Sequence, residues 1–234
     1  KIAVIGSGIA GLTIANLFKG NSNFEVMVYE KEKLLSLEEG YGIQLAPNST
    51  SILNKIGLSN IDNKDFFNPS KLNFYSSDNQ KICDLDLSRF NSEKSKYTTL
   101  KRSVLIEFLK NKLFSNNLRF GKEVKKISKI KEKLLINFKD NSNDLVDFIV
   151  VSDGVFSNTK LIAENKSILP IYNGSIAIRT ILKNSPEPNY DKNSISLVML
   201  KNAHIVIYPI NKKGEFNVVC IIRQKLSNNI DLKA

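Results

Sequence analysis

The chain has 234 residues, of which 42% are hydrophobic and 24% charged, a composition typical of folded domains that excludes disorder over most of its length. Its longest apolar runs fall far short of the ~20 residues that span a bilayer, so we predict no integral membrane segment. The net charge is +11, but the lysines are scattered and the densest group, at 122–133, contains no aromatic residue, so we predict no nucleic-acid partner.

The two cysteines, Cys83 and Cys220, have neither metal-ligand nor redox spacing. We therefore predict two reduced, buried thiols, no metal site and a cytoplasmic location. The oligomeric state is left open.

The first thirty residues have the order of a dinucleotide-binding βαβ unit. An apolar run at 1–5 predicts a strand, and residues 6–11 match the pattern G-x-G-x-x-G. Residues 9–19 carry a helical pattern, and 24–29 predict a second buried strand that ends at Glu30.

Each glycine of this pattern has a physical role. Gly6 permits the tight turn, Gly8 lets the backbone approach a pyrophosphate, and Gly11 lets the helix lie close to the sheet. The helix N-terminus attracts phosphate. Glu30 lies about 20 residues after Gly11, where a carboxylate accepts hydrogen bonds from a ribose.

The rest of the chain predicts two more helices and many strands. Helices are predicted at 47–56 and 101–114, and a short strand at the start of 40–58. Residues 60–70 read as a loop. Further strands are predicted at 72–76, 81–86, 118–120, 124–130, 134–139, 144–151, 175–182, 195–200, 203–210 and 215–222. The fold class is therefore α/β, a Rossmann-like βαβ domain with an inserted, mostly antiparallel β-sheet.

Six motifs, in this order, resemble those of the class A flavoprotein monooxygenases of the salicylate hydroxylase and p-hydroxybenzoate hydroxylase type. They are GSGIAG at 6–11 with Glu30, GIQLAPN at 42–48, KRSVLIEFL at 101–109, SDGVFSNTK at 152–160, YNGSIAIR at 172–179 and HIVIYP at 204–209. The resemblance covers nearly the whole chain. It implies a p-hydroxybenzoate hydroxylase-like FAD-binding domain at 1–68 and 97–170, and an incomplete substrate-domain sheet at 69–96 and 171–234.

The resemblance also implies two cofactors, bound FAD and NAD(P)H as the reductant. Arg102 matches the arginine that contacts FAD, and Asp153 with Gly154 matches a motif that serves both cofactors. The implied cofactor-binding residues are Gly6, Gly8, Ile9, Ala10, Gly11, Glu30, Lys31, Gln44, Arg102, Asp153 and Gly154.

The chain also departs from the family pattern. Val151, Ser152 and Lys160 stand where the family usually has Gly, Ala and Arg, which bears on how the NAD(P)H pyrophosphate fits. The second FAD motif of the family, a Gly-Asp followed by small residues and a His, does not occur in the sequence. We therefore expect a fragment that lacks part of the flavin site and holds FAD weakly.

The resemblance implies that NAD(P)H reduces FAD, that the reduced flavin forms a C4a-hydroperoxide with O₂, and that this species hydroxylates a small phenolic substrate. On a strand, His204 and Tyr208 share one face. We hypothesise that His204 is the base and Tyr208 a partner of the substrate. A half-exposed histidine and a packing tyrosine are an equal alternative. Arg179 is a candidate partner for a substrate carboxylate or a backbone carbonyl.

Three other functions fit part of the sequence. One is a quinone-biosynthesis hydroxylase acting on a prenylated phenol. Another is a non-catalytic FAD-binding remnant, which the missing Gly-Asp motif favours. An NAD-linked dehydrogenase fits the first thirty residues but leaves the later motifs unexplained.

Overall fold

The computed structural model describes residues 1–35, 41–164, 170–183 and 190–225. The chain divides into two compact units. Unit 1 contains Lys1–Glu39 and Leu105–Pro170, and unit 2 contains Gly40–Val104 and Ile171–Ala234.

The described residues form strands, α-helices and short 3-10 turns. The strands are β1 (Ile2–Ile5), β2 (Val26–Tyr29), β3 (Gly42–Leu45), β4 (Phe66–Phe67), β5 (Lys71–Tyr75), β6 (Lys81–Asp86), β7 (Thr98–Lys101), β8 (Leu118–Arg119), β9 (Val124–Ile130), β10 (Lys133–Phe138), β11 (Asn143–Val146), β12 (Phe148–Val151), β13 (Ser175–Lys183), β14 (Ile195–Met199), β15 (Ala203–Pro209) and β16 (Glu215–Arg223). The α-helices are α1 (Ile9–Lys19), α2 (Pro47–Asn54), α3 (Arg102–Lys112) and α4 (Asn158–Glu164). The 3-10 turns are Leu58–Asn60, Asn63–Asp65, Leu87–Phe90 and Ser115–Asn117.

Unit 1 is built on a parallel sheet with the strand order β12-β1-β2-β8. All residues of β1 and β2 are buried, which explains why both strands are continuous apolar runs rather than alternating ones. One face of these strands packs against the antiparallel sheet β11-β10-β9 through a cluster that includes Tyr29 and Phe138. The βαβ unit predicted from the sequence is therefore present.

A buried amide joins the two long helices of unit 1. The Asn16 Nδ2 group donates to the carbonyl of Leu12 within α1 and to the carbonyl of Leu109 in α3, each at 2.8 Å. Because both acceptors are backbone groups inside the unit, the bonds satisfy a polar side chain that burial would otherwise penalise.

Unit 2 is built on a six-stranded sheet with the order β13-β16-β15-β14-β5-β6. All its pairs are antiparallel except β14 with β5. This sheet joins strands from 71–86 with strands from 175–223, as the two-piece sheet predicted from the sequence requires. A second sheet, β3-β7-β4, is antiparallel.

Polar groups connect the two sheets of unit 2. The amide of Gly42 donates to Asn217 Oδ1 at 2.7 Å, and the Thr99 hydroxyl donates to the carbonyl of Pro209 at 2.5 Å. Asn217 and Thr99 are fully buried. These bonds therefore hold β3 and β7 against the ends of β15 and β16.

Several details of the sequence prediction are corrected. The strand predicted at 144–151 is two strands, β11 and β12, which belong to different sheets of unit 1. Residues 60–70 contain the strand β4 and a 3-10 turn, and β7 and α4 were not predicted. Short elements such as these carry too few residues for a periodic pattern, and pairing with distant strands decides them.

The burial predicted for the cysteines is wrong for Cys83, which is exposed, and Cys220 is only partly buried. Cys83 lies on β6, which pairs with β5 alone and forms an edge of the six-stranded sheet. An edge strand has one neighbour, so its side chains are covered less than those of central strands.

The predicted domains are defined by which segments bind the cofactor and which bind the substrate, and these boundaries remain a prediction. The packing units divide the chain differently, since residues 40–68 and 97–104 belong to unit 2.

We predict that Gly42→Ala destabilises the fold. A Cβ at this position is 2.6 Å from Asn217 Cβ and 2.6 Å from Ile210 Cγ2, and both neighbours are buried. Overpacking of this kind lowers the free energy of unfolding by about 1–3 kcal/mol, which urea denaturation measures. Gly20→Ala is the matched control because Gly20 has a φ of −70° and open space at its Cβ position. Equal unfolding midpoints for the two variants contradict the prediction.

Candidate functional site

The glycine turn of unit 1 brings three backbone segments together without room for side chains. Gly6 follows β1 with a φ of +100°, and a Cβ on it lies 2.6 Å from the carbonyl oxygen of Ser152. A Cβ on Gly11 lies 2.0 Å from the carbonyl oxygen of Gly6. The first and third glycines are therefore required by close packing among β1, α1 and the chain after β12.

The second glycine is different, because the space around it is open. Gly8 has extended backbone geometry, and a Cβ on it meets no atom within 4 Å. Gly8 is the N-cap of α1, and the structure describes no side-chain hydrogen bond that caps this helix. Ile9 and Ala10 form the first turn, Ala10 being exposed. This open, uncapped N-terminus fits a pyrophosphate group.

The Glu30 carboxylate lies beside the glycine turn. Its Oε2 accepts hydrogen bonds from the amide and from the hydroxyl of Ser7, both at 2.8 Å. Its Oε1 accepts from the amide of Glu32 at 3.0 Å. Ser7 is buried and was not identified from the sequence, although it stands inside the glycine motif.

These contacts favour the ionised form of Glu30. Burial opposes the charge, but the bonds from the amides of Glu32 and Ser7 and from the Ser7 hydroxyl outweigh it, so the pKa of Glu30 lies below its ordinary value. An ionised carboxylate only accepts hydrogen bonds, as a ribose diol requires. The neighbouring Lys31 is exposed, and its Nζ lies 3.6 Å from Glu32 Oε1.

The Asp153 carboxylate lies against the first turn of α4, which begins at Asn158. It accepts a hydrogen bond from the Ser157 hydroxyl and one from the amide of Thr159 at 3.2 Å. Gly154 follows with a φ of +91° and open space at its Cβ position. Since a carboxylate has about four acceptor positions, these bonds leave room for the cofactor contact predicted from the sequence.

Ser152, one of the departures from the family pattern, supports the glycine turn. Its amide and its hydroxyl both donate to the carbonyl of Ile5 at 2.8 Å. Its Oγ also lies 2.7 Å from the position of a Cβ on Gly11. The serine is therefore compatible with the tight packing of this turn.

Unit 2 brings Gln44 together with two tyrosines. Gln44 is exposed on β3, and its Oε1 accepts a hydrogen bond from the Tyr97 hydroxyl at 2.8 Å. Tyr208 is 3% exposed at the end of β15. Burial raises the pKa of Tyr208 to about 12, while Arg179 and a hydrogen bond from Gln44 oppose the rise. Tyr208 is therefore protonated at neutral pH. Tyr97 was not identified from the sequence.

His204 and Arg102 occupy other parts of unit 2. His204 is half-buried on β15, opposite Met199 and Ile221 in the adjoining strands. Tyr208 lies four positions further along the strand, or about 13 Å away along the chain. Arg102 begins α3, and its amide donates to the carbonyl of Tyr41 at 3.0 Å.

A largely apolar cleft of about 440 Å³ lies in unit 2. Its size is within the range of small-molecule sites. Tyr97 contributes to its wall. The lining residues are Ala46, Pro47, Asn48, Leu72, Leu85, Leu87, Phe90 and Tyr97.

Two kinds of site are not seen in the part of the chain that the structure describes. In these ranges no three His, Cys, Asp or Glu residues are arranged to hold a metal ion. None of the helices described here has both the length and the apolarity of a membrane span.

Comparison with known proteins relates the chain to flavin enzymes. Residues 4–37 match the family model of the NAD(P)-binding Rossmann-like domain. A 6-hydroxynicotinate 3-monooxygenase from Bordetella bronchiseptica is 27% identical over 231 residues, which cover 92% of this chain and 56% of that protein. A 3-amino-4-hydroxybenzoate 2-monooxygenase from Streptomyces platensis is 24% identical over 229 residues, which cover 95% of this chain and 56% of that protein. The chain thus spans a little over half the length of these curated relatives.

Solved structures share the fold. Klebsiella pneumoniae HpxO in complex with FAD and uric acid has a TM-score of 0.83 at 18% identity, with 98% of this chain and 58% of that chain covered. A salicylate hydroxylase in complex with its substrate has a TM-score of 0.80 at 17% identity, with 99% and 59% covered. The comparisons confirm both the resemblance and the fold class predicted from the sequence.

We predict that Glu30 stabilises unit 1 in a pH-dependent way. Because its folded pKa lies below the ordinary value of 4.5, Glu30→Gln lowers stability at neutral pH, and the difference from the unsubstituted chain shrinks as the pH falls below 4.5. Urea denaturation from about pH 3 to about pH 7 measures this difference in the free energy of unfolding. The exposed Glu107→Gln is the control. A Glu30→Gln effect that is the same at all pH values contradicts the prediction.

Proposed function

We propose that this chain, with its confirmed resemblance to the class A FAD-dependent aromatic monooxygenases, is the FAD- and substrate-binding part of such an enzyme. In this proposal the enzyme uses NAD(P)H and O₂ to hydroxylate a small aromatic ring that carries a hydroxyl group. The observation that carries the proposal is the Glu30 carboxylate, held by Ser7 beside the open N-terminus of α1.

The residues of unit 1 fit the adenosine diphosphate half of FAD. The open backbone at Gly8 and the first turn of α1 receive the pyrophosphate, and Glu30 accepts hydrogen bonds from the ribose. Asp153 and Gly154 are proposed to meet the cofactor at the end of β12. In unit 2, Gln44 and Arg102 are the residues proposed for the same cofactor, and Lys31 contributes a positive charge in unit 1.

When bound, FAD supplies electron transfer from NAD(P)H and the activation of O₂, including the oxygen-transfer chemistry predicted from the sequence. The chain itself binds and orients the reactants. The cleft of unit 2 offers an aromatic ring mainly apolar contacts.

His204 is proposed as the base for the substrate hydroxyl, and Tyr208, about 13 Å further along the strand, as a partner for another part of the substrate. A ring nitrogen of His204 accepts the phenolic proton, which makes the ring more electron-rich and more reactive toward oxygen transfer. Tyr208 is protonated at neutral pH because burial raises its pKa to about 12, so it serves as a hydrogen-bonding partner rather than a base. Arg179, near Tyr208, is proposed to meet a substrate carboxylate or another anionic group.

The names of the relatives support this substrate class. The first two act on a hydroxynicotinate and an amino-hydroxybenzoate, both small aromatic rings with a hydroxyl and a carboxylate. The cleft of about 440 Å³ accepts a ring of this size, and product analysis decides between such a ring and a prenylated phenol.

We predict that Gly8→Val weakens the binding of FAD without changing the stability of the fold. The extended backbone and open space at Gly8 accept a valine, but its side chain occupies the place proposed for the pyrophosphate. Flavin fluorescence titration is expected to show affinity reduced on the order of tenfold or more, with an unchanged unfolding midpoint. Gly20→Val is the matched control, also at an open glycine. Equal FAD affinities for both variants count against the proposed site.

We predict that His204→Gln lowers hydroxylation of an ordinary phenol at least about 100-fold in the FAD-loaded enzyme. The loss should be much smaller with 2,3,5,6-tetrafluorophenol, which is ionised at neutral pH and needs no base. Product analysis with both phenols, and with a prenylphenol, measures this. Unchanged hydroxylation removes His204 as the base. FAD binding with no NAD(P)H oxidation in the unsubstituted enzyme favours the non-catalytic alternative.

A further inference from the structure

Unit 2 contains a second cavity, of about 290 Å³, that is separate from the apolar cleft. It lies among α2, the 3-10 turn Leu58–Asn60, β4, the chain at 93–96 and β7. None of its lining residues lines the cleft, and none is among the residues proposed for FAD or for the substrate. Its volume is near the lower end of the range for small-molecule sites, about 300 Å³. The cavity is therefore a candidate site for a second ligand.

One wall of this cavity is held by the turn between β15 and β16. The Lys212 amide donates to the carbonyl of Lys64 at 3.1 Å, and Lys212 Nζ donates to Asn63 Oδ1 at 2.5 Å. Lys213 forms an ion pair with Asp65. These contacts fix the wall without any contribution from a ligand.

The opposite wall joins α2 to the chain that leads into β7. The Asn54 amide nitrogen donates to the carbonyl of Lys94, and the Thr50 hydroxyl donates to the carbonyl of Lys96 at 3.2 Å. Both acceptors are backbone groups, so these bonds fix the course of the chain along the cavity. A preformed cavity binds a ligand without the entropy cost of ordering its own walls.

The floor of the cavity is apolar. Leu58 is 7% exposed and Leu100 is 0% exposed, and the half-buried Phe66 lines the cavity beside them. Such a floor favours an apolar group on the ligand, because contact with it removes apolar surface from water.

Asn68 adds a hydrogen-bond acceptor of fixed orientation to the lining. Its Nδ2 group donates to the carbonyl of Tyr97 at 2.9 Å and to Thr98 Oγ1 at 3.0 Å. An amide has only two N–H donors, so both are used and Oδ1 is the group left for a ligand. The matching ligand group is a donor, an N–H or an O–H.

Positive charge surrounds the mouth of the cavity. Lys94 and Lys96 are exposed lining residues, and the Lys212 ammonium group contacts a further lining residue, Asn63. Within the described ranges, none of these three lysines has a carboxylate at ion-pair distance. Glu93 is the acidic residue of the lining, so three positive charges face one negative charge. An anionic group is therefore favoured at the mouth.

We propose that this cavity binds a small organic carboxylate that carries an amide N–H and an apolar side group, the chemistry of an N-acylated amino acid. The carboxylate lies at the lysines of the mouth, the N–H donates to Asn68 Oδ1, and the apolar group contacts the floor. In such a compound the three groups branch from one carbon atom, which suits a cavity with three different surfaces. A free amino acid fits less well, because its ammonium group adds a positive charge to the three already present.

The test titrates the full chain with N-acetylleucine by isothermal titration calorimetry. The methyl ester of this probe removes its negative charge, and N-acetyl-N-methylleucine removes its N–H donor. Each analogue is expected to bind at least about 5-fold more weakly than the probe, because it leaves one surface of the cavity unpaired. The third comparison is 4-hydroxybenzoate, which has a carboxylate and a donor but no separate apolar branch, and it is also expected to bind more weakly.

Two double variants at exposed positions test the mouth. Lys94→Gln with Lys96→Gln removes two charges there and is expected to weaken N-acetylleucine by roughly 3- to 10-fold. Lys192→Gln with Lys201→Gln removes the same charge elsewhere in unit 2 and is expected to leave the affinity unchanged.

A second pair of variants tests the cavity itself. Ser59 is an exposed lining residue, so Ser59→Phe is expected to fill the cavity and abolish binding while the unfolding midpoint is kept. Asn60→Phe, at the exposed next residue of the same 3-10 turn, is the matched control and is expected to bind normally.

The inference is overturned if N-acetylleucine does not bind, or if either analogue or 4-hydroxybenzoate binds as tightly. It is also overturned if Ser59→Phe keeps the affinity, or if the two double lysine variants weaken binding equally. These readouts need neither flavin nor turnover, and the site shares no residue with the cleft. Their failure therefore leaves the proposed function intact, and their success does not depend on it.

Discussion

The close contact among the backbones of Gly6, Gly11 and Ser152 is the constraint on which the structure of unit 1 depends. No Cβ fits at either glycine, so β1, α1 and the end of β12 approach more closely than ordinary residues permit. This approach aligns the N-terminus of α1 with the carboxyl ends of parallel strands, where open α/β sheets bind ligands in a crevice. It also places Ser7 against Glu30, and Asp153 at the start of α4. The cofactor contacts proposed for unit 1 all follow from this one turn.

Unit 2 depends on a different kind of interaction. Its two sheets are joined by buried polar groups, with the Gly42 amide bound to Asn217 and the Thr99 hydroxyl bound to a backbone carbonyl of β15. Buried hydrogen bonds are directional, so they specify the position of β3 more narrowly than apolar contact does. Gln44 lies on that strand. Its contact with Tyr97 follows from the pairing of β3 with β7 within the same sheet.

In the proposed flavin enzyme, the cofactor and the protein have different roles. The cofactor supplies the difficult chemistry, and the protein supplies binding, orientation and a dry environment. Accordingly, the groups that matter most in the described structure are hydrogen-bonding groups with fixed geometry, such as Ser7 on Glu30 and Tyr97 on Gln44. Ser152, which stands where the family usually has Ala, is such a group, because its hydroxyl donates to the carbonyl of Ile5 just before the glycine turn.

Local patterns in the sequence predict the βαβ unit, the close packing at Gly6 and Gly11 and the position of most strands, because these features depend on periodicity and on the steric demands of single residues. Helix α1 has the bounds that its pattern predicts, residues 9–19. The division of 144–151 between two sheets, the exposure of Cys83, and the contacts of Ser7 and Tyr97 are visible only in the folded chain. Those features depend on which distant segments pair: Tyr97 reaches Gln44 because β7 pairs with β3. No local pattern encodes that register.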